Sequence, residues 1–177
     1  MTISTSYQKN QNLMTDFHHV VSSATNPKRV VGQRVFYSIF GVLGISCGAL
    51  LLALAEETSN YIMAVLGLLF GVYFAARAIF YYQYLGFFSA RVMTKQIDEV
   101  TYRFEDDVLV IDDAVEHCEH PYHVVQGIYE SKRTFVILIT NRVGYIIAKN
   151  DLTEEEMLKL RNIFENKFEV PLVYYDV

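Results

Sequence analysis

At 177 residues the chain has room for one pair of membrane helices and one small domain, and its 52% hydrophobic content averages two unlike halves. Residues 1–96 carry a net charge of +4 and residues 97–177 a net charge of −9. The acidic half excludes nucleic acid as a partner, because that affinity comes mostly from cations neutralising phosphates, and anionic headgroups repel it for the same reason. A protein or a small molecule is the expected partner.

In chain order, Thr2 to Tyr7 reads as a short strand and Asn12 to Ser23 as a short helix, both within an N-terminal cytoplasmic segment over 1–34. No cleavable signal peptide is expected, since the first thirty residues are polar and no small-x-small site follows the apolar run. A transmembrane hairpin then fills 35–92. Its first span, 35–55 (VFYSIFGVLGISCGALLLALA), has no charge, and its second, 61–82, meets its first charge at Arg77. A bilayer core about 30 Å thick takes roughly 20 helical residues, so the first run spans and the second spans with Arg77 snorkelling to the headgroups. The link Glu56-Glu57-Thr58-Ser59-Asn60 allows only a tight turn.

The cations flanking the spans set their orientation. Lys28, Arg29 and Arg34 precede the first span, Arg77, Arg91 and Lys95 follow the second, and the turn between has two glutamates and no cation. Both termini are therefore expected on the cytoplasmic side, with the chain crossing the membrane twice. Phe36, Tyr37, Tyr61, Tyr81, Tyr82 and Tyr84 suit the two interfaces. Gly44 and Gly48 on the first helix, and Gly67, Gly71 and Ala75 on the second, allow close backbone approach. The hairpin brings these stripes together without a partner; self-association as a dimer or oligomer is the alternative. Neither span carries Asp, Glu, Lys or His at depth, and Arg77 sits near an end, which argues for an anchor and against a pore or transport pathway.

From 93 onward lies a cytoplasmic α+β domain, 93–177. Val100, Tyr102 and Phe104 alternate with polar residues as in a half-buried strand, Asp106-Asp107 turns the chain, and Val108 to Ile111 restarts it. A third strand over Glu116 to His120 breaks at Pro121, and Tyr122 to Gln126 forms a helical turn or loop. Strands follow over Gly127 to Glu130, Thr134 to Ile139 and Val143 to Ala148, with turns at 131–133 and at Asn141-Arg142. Short turns imply an antiparallel sheet. Thr153 and Glu156 form a capping box for a helix whose face is Met157, Leu160, Ile163, Phe164 and Phe168. Val170 to Tyr175 reads as a last strand, which Pro171 restricts to an edge.

Three segments, EVTYRFEDD (99–107), HPYHVVQGIYE (120–130) and YIIAKNDLT (145–153), followed by the closing helix, resemble the YcxB-like family, small bacterial membrane proteins with two spans and a C-terminal domain. The resemblance covers roughly 97–168, plus the hairpin by architecture. Ala148 stands where the family has proline, and Val108 where it tends to have glycine; both alter backbone rather than chemistry. The resemblance implies a pleckstrin-homology-like (PH-like) sheet capped by a C-terminal helix, and no established catalytic residue or cofactor.

The candidate chemistry is concentrated in His117-Cys118-Glu119-His120-Pro121-Tyr122-His123. These are metal-ligating types, yet His117 and His120 point to opposite faces of a strand and no second ligand cluster exists. Cys118 lacks an orienting group for nucleophilic work, and its acidic neighbours Glu116 and Glu119 disfavour a thiolate. Glu105-Asp106-Asp107 lacks the spaced oxygens of a calcium loop. Lys132-Arg133 and Arg142 occupy turns at opposite ends of a strand. The expectation is a membrane-anchored, non-enzymatic binding or regulatory module for protein partners. The alternatives are a metal or cysteine enzyme using 117–123, separated by whether those side chains converge, and an oligomeric pore.

Overall fold

The structure, a computed structural model, describes residues 1–5, 11–92, 99–113, 117–140 and 143–175. Readings that fall on Lys95, Glu116, Asn141 and Arg142 lie outside those residues. Two compact units emerge, one of Met1–Thr25 with Leu85–Val177, the other of Asn26–Tyr84.

The second unit is the hairpin. Helix α2 (Pro27–Ala53) and helix α3 (Thr58–Ile79) are both long and apolar enough to cross a membrane. Helix α2 begins eight residues before the apolar run, because Pro27 sits in the first turn, where its missing N–H has no intrahelical role. Lys28, Arg29 and Arg34 are therefore helical residues rather than a flank, and Arg77 occupies the last turn of α3. The link is shorter than the five polar residues suggested, since Thr58 already belongs to α3.

Close approach of the two helices depends on glycine. A Cβ on Gly44 would meet Gly71 Cα at 2.7 Å, one on Gly48 would meet Leu68 N at 2.7 Å, and one on Gly41 would meet Ala75 N at 2.9 Å. Gly67 lies against Gly48, with 3.3 Å from its would-be Cβ to Gly48 Cα. The small residues read from the sequence thus face one another within one hairpin, with Gly41 added three residues ahead of Gly44. Dispersion and backbone proximity hold such a pair where lipid supplies no hydrophobic drive.

Among the described residues the first unit holds eight strands in two sheets. Strands β1 (Thr2–Thr5), β2 (Val100–Phe104), β3 (Val108–Asp112) and β4 (His117–Pro121) form an antiparallel sheet in that order. Strands β5 (Gly127–Glu130), β6 (Thr134–Leu138) and β7 (Gly144–Ala148) form the second meander, in the order β7-β6-β5. Strand β8 (Leu172–Tyr174) lies on the outside of β5 and runs parallel to it. The single antiparallel sheet expected from short turns is thus two. A 3-10 turn over Tyr122–Val124, entered through Pro121, separates the meanders, and α5 (Glu154–Lys167) carries the chain back so that β8 enters parallel.

Burial explains the layering. Val100, Tyr102 and Phe104 of β2 and Leu109 and Ile111 of β3 face Ile128, Phe135, Ile137 and Ile147 of the second sheet. Helix α5 closes this core with Leu160 and Phe164, as its periodicity predicted, and Phe168 joins them just past its end; the Phe164 ring lies 5.8 Å from Phe104 and 5.6 Å from Phe135. Its capping box is complete: Glu156 N donates to Thr153 Oγ1 at 3.3 Å, and Thr153 N to Glu156 Oε2 at 2.8 Å. The Tyr102 hydroxyl donates to the Ile146 carbonyl at 2.9 Å and ties the two sheets together.

Two elements ahead of the hairpin belong to this unit. Strand β1 pairs with β2, Ile3 opposite Tyr102. Helix α1 (Gln11–Thr25) sets Val20 against Val136 and Leu138, so all five residues of β6 are buried, one face by the core and the other by α1. The division at residue 93 thus leaves outside the sheet domain a strand and a helix that the fold includes. Helix α4 (Tyr81–Val92) is a further element that aromatic content alone did not reveal; Ser89 Oγ lies 2.5 Å from His18 Nε2 of α1.

Candidate functional site

The 117–123 segment is spread over three environments. On the outer face of β4, His117 bonds Asp112 through Nδ1 and Glu119 Oε1 through Nε2, the latter at 3.2 Å. Asp112 also takes Arg103 at 2.9 Å, so a chain of polar contacts crosses β2, β3 and β4. The Asp112 bond, then the Glu119 bond, raise the His117 pKa above its ordinary value. His120 points to the inner side, with Nε2 3.0 Å from the Tyr145 hydroxyl, and burial lowers its pKa. The opposite facing of His117 and His120 follows from strand alternation.

His123 lies in a third place, an open depression of about 490 Å³ at the end of β4. The β2–β3 turn contributes Asp106 and Asp107, the 3-10 turn Tyr122 and His123, and the end of α5 Asn166 and Lys167, with Glu169 just beyond. The Lys167 ammonium donates to the Glu105 carbonyl at 2.7 Å, and the Tyr122 hydroxyl to the same carbonyl, also at 2.7 Å. Burial and the neighbouring Asp106, Asp107 and Glu105 push the Tyr122 phenol up to about 12, so it stays protonated and serves as a donor. Three carboxylates around an already engaged ammonium favour a cationic visitor. His123 and the acidic turn, separate candidates in the sequence, thus meet here.

The backbone of β4 supplies the other half of the site. Tyr122 N donates to Asp107 O at 3.2 Å, which fixes the phase of the β3–β4 ladder. Alternation then makes Leu109–His120 and Ile111–Cys118 the bonded pairs, and turns the backbone groups of His117 and Glu119 away from the sheet. Both residues are exposed, and β4 is the last strand of its sheet. Strand β7, also at an edge, differs: the Ile146 carbonyl on its outer side accepts the Tyr102 hydroxyl.

One polar cluster was invisible in the sequence. Glu130, at the end of β5, is buried and receives Lys149 Nζ at 2.5 Å and Arg161 through Nη2 at 2.6 Å and Nε at 3.1 Å. Burial works against ionisation, but the bonds from Arg161 and Lys149 outweigh it and hold the carboxyl below its ordinary pKa. The only signal was an acid closing an apolar strand inside the second motif. Its two cations are drawn from β7's end and α5, so its role is to pin helix to sheet. Arg133, read as part of a turn cation pair, instead reaches the buried Asp16 of α1 at 3.5 Å.

The hairpin residues separate. Arg34 and Arg77 belong to the hairpin unit, whereas Arg91 ends α4 in the other, its guanidinium 4.4 Å from the Phe87 ring centre. Cys47 is exposed on α2 and Cys118 half-buried on β4; both are free thiols.

Two long apolar helices joined to a sheet-rich domain with a closing helix define a class of protein with a membrane-compatible hairpin. Residues 104–164, from the end of β2 into α5, match the family described as YcxB-like protein. The match takes in the second and third sequence motifs whole and the end of the first, so the C-terminal region is a YcxB-like domain, and the two apolar helices ahead of it fit a membrane anchor. No curated protein and no solved structure matches the chain.

Proposed function

We propose that the protein is a non-enzymatic recognition module of the bacterial inner membrane, anchored by α2 and α3, with both termini and a PH-like domain in the cytoplasm. Two meanders closed by a C-terminal helix support the PH-like reading. Strand β1 precedes the hairpin and β2 follows it, so both ends of the hairpin return to one domain and the number of crossings is even. The cations at one end and Glu56 and Glu57 at the other favour the cytoplasmic side for that domain.

The observation that carries the recognition role is the outer edge of β4, where the backbone groups of His117 and Glu119 face away from the sheet. An extended segment of a protein partner adds there as a further strand, with main-chain bonds supplying affinity. The acidic depression beyond Pro121 and the −9 charge of residues 97–177 select basic side chains on that segment.

A photocrosslinker at Glu119 in cells tests this reading, with one at Lys159 on α5 as reference. A discrete protein adduct from position 119 and none from 159 is expected. Glu119→Pro removes an outward N–H while sparing the β3–β4 bonds, and should abolish the adduct of a crosslinker at His117. Equal labelling from 119 and 159, or turnover of a substrate by the purified chain, overturns the reading.

A further inference from the structure

We propose that the cationic end of the hairpin binds the phosphate of an anionic phospholipid between Arg34 and Arg77, an inference that rests on the membrane reading above. The four cations of Asn26–Tyr84 are Lys28, Arg29, Arg34 and Arg77, and all belong to the end where α2 begins and α3 finishes. The unit's only acids, Glu56 and Glu57, lie at the turn at the other end.

Arg34 reaches across the hairpin, its Nε donating to the Ala78 carbonyl at 3.3 Å. Ala78 adjoins Arg77, so the two arginines stand at one level on facing helices. The Arg77 guanidinium carbon lies 3.9 Å from the centre of the Tyr84 ring and 4.9 Å from that of Tyr37, and Nη1 donates to the Tyr73 hydroxyl at 3.2 Å. Rings, a phenol and a carbonyl orient a guanidinium without neutralising it. The charge that would do so is absent from this unit at that level.

A phosphodiester supplies it. Its oxygens match the paired N–H groups of a guanidinium, and tyrosines suit the depth at which lipid phosphates lie. A zwitterionic headgroup carries its own cation to the same place, so the site favours a net-anionic lipid. The rings hold Arg77 in position before the lipid arrives, which lowers the entropy cost of binding.

The full chain, purified in mild detergent, is titrated with short-chain phosphatidylglycerol, short-chain phosphatidylcholine and inorganic phosphate, and bound species are counted by native mass spectrometry. Phosphatidylglycerol is expected to bind in preference to phosphatidylcholine, and Arg34→Gln and Arg77→Gln each to weaken it roughly fivefold. Arg91→Gln should leave it unchanged, and Arg77→Lys, which keeps the charge without the paired N–H groups, should bind more tightly than Arg77→Gln and more weakly than wild type, which separates lost charge from lost fold. Equal binding of the two lipids, insensitivity to both glutamine variants, or arginine-dependent binding of inorganic phosphate without lipid preference overturns the proposal. Carbonate extraction of native membranes separates the two readings. Release of the chain sinks the membrane anchor and this site with it, whereas retention without phosphatidylglycerol preference sinks this site alone.

Discussion

Met1 and Phe104 are joined backbone to backbone, with Phe104 N donating to Met1 O at 2.8 Å and Met1 N to Phe104 O at 2.9 Å, across 103 positions of chain that include the whole hairpin. Strand β1 therefore completes a sheet whose other strands lie beyond the hairpin. The domain cannot finish folding until both have been made, and its longest-range pairing is the last to be available.

Ile3, 3% exposed in the core opposite Tyr102, measures that dependence. Ile3→Ala removes buried methyl groups and should destabilise the sheet domain by about 2–5 kcal/mol. Limited proteolysis of the detergent-solubilised chain should show faster cutting after residue 97. Unchanged protection there would mean that residues 93–177 stand alone.

Glu130 gives a second test. Removing one partner of a buried ion pair leaves the others uncompensated, so Glu130→Ala should cost about 3–5 kcal/mol. Because the folded carboxyl titrates below the ordinary 4.5, its stabilisation is full above that pH and is lost as pH falls through the folded value. Thermal melts from pH 7 downward should show the wild-type advantage over Glu130→Gln shrinking below about pH 4.5.

These two cases mark what the sequence could disclose. Thr153 with Glu156, the alternation of Val100, Tyr102 and Phe104, and the Leu160–Phe164–Phe168 face are local patterns, and the fold keeps them all. Pairing of β1 with β2, the parallel entry of β8 and the meeting of Glu130 with Arg161 join residues that no local period relates. The site was half legible for the same reason. Alternation separated His117 from His120, but nothing in the spacing brought His123 to Asp106 and Asp107.

The hairpin contact is tested at Gly44. A side chain there collides with the backbone of Gly71, which cannot move aside as a rotamer would. Gly44→Val should cost about 1–3 kcal/mol of hairpin stability, whereas Gly32→Ala, with nothing within 4 Å of the new Cβ, should be neutral or slightly stabilising. Energy transfer between dyes near the ends of α2 and α3 reads the separation. Equal behaviour of the two variants would contradict the contact.

His117 and His120 should titrate on opposite sides of 6.5 despite standing three residues apart. For His117, bonds to Asp112 and Glu119 favour the imidazolium, so its contribution to stability is complete below 6.5 and disappears as pH rises through the folded value. For His120, burial favours the neutral ring, so stability is lost as pH falls below 6.5 toward the folded value. Imidazole NMR on the solubilised chain resolves the two curves. Asp112→Asn should return His117 toward 6.5 and leave His120 where it was, because Asp112 bonds His117 on the outer face while His120 faces Tyr145. A parallel shift of both histidines would mean that they share one environment, against the alternation that the β4 edge depends on.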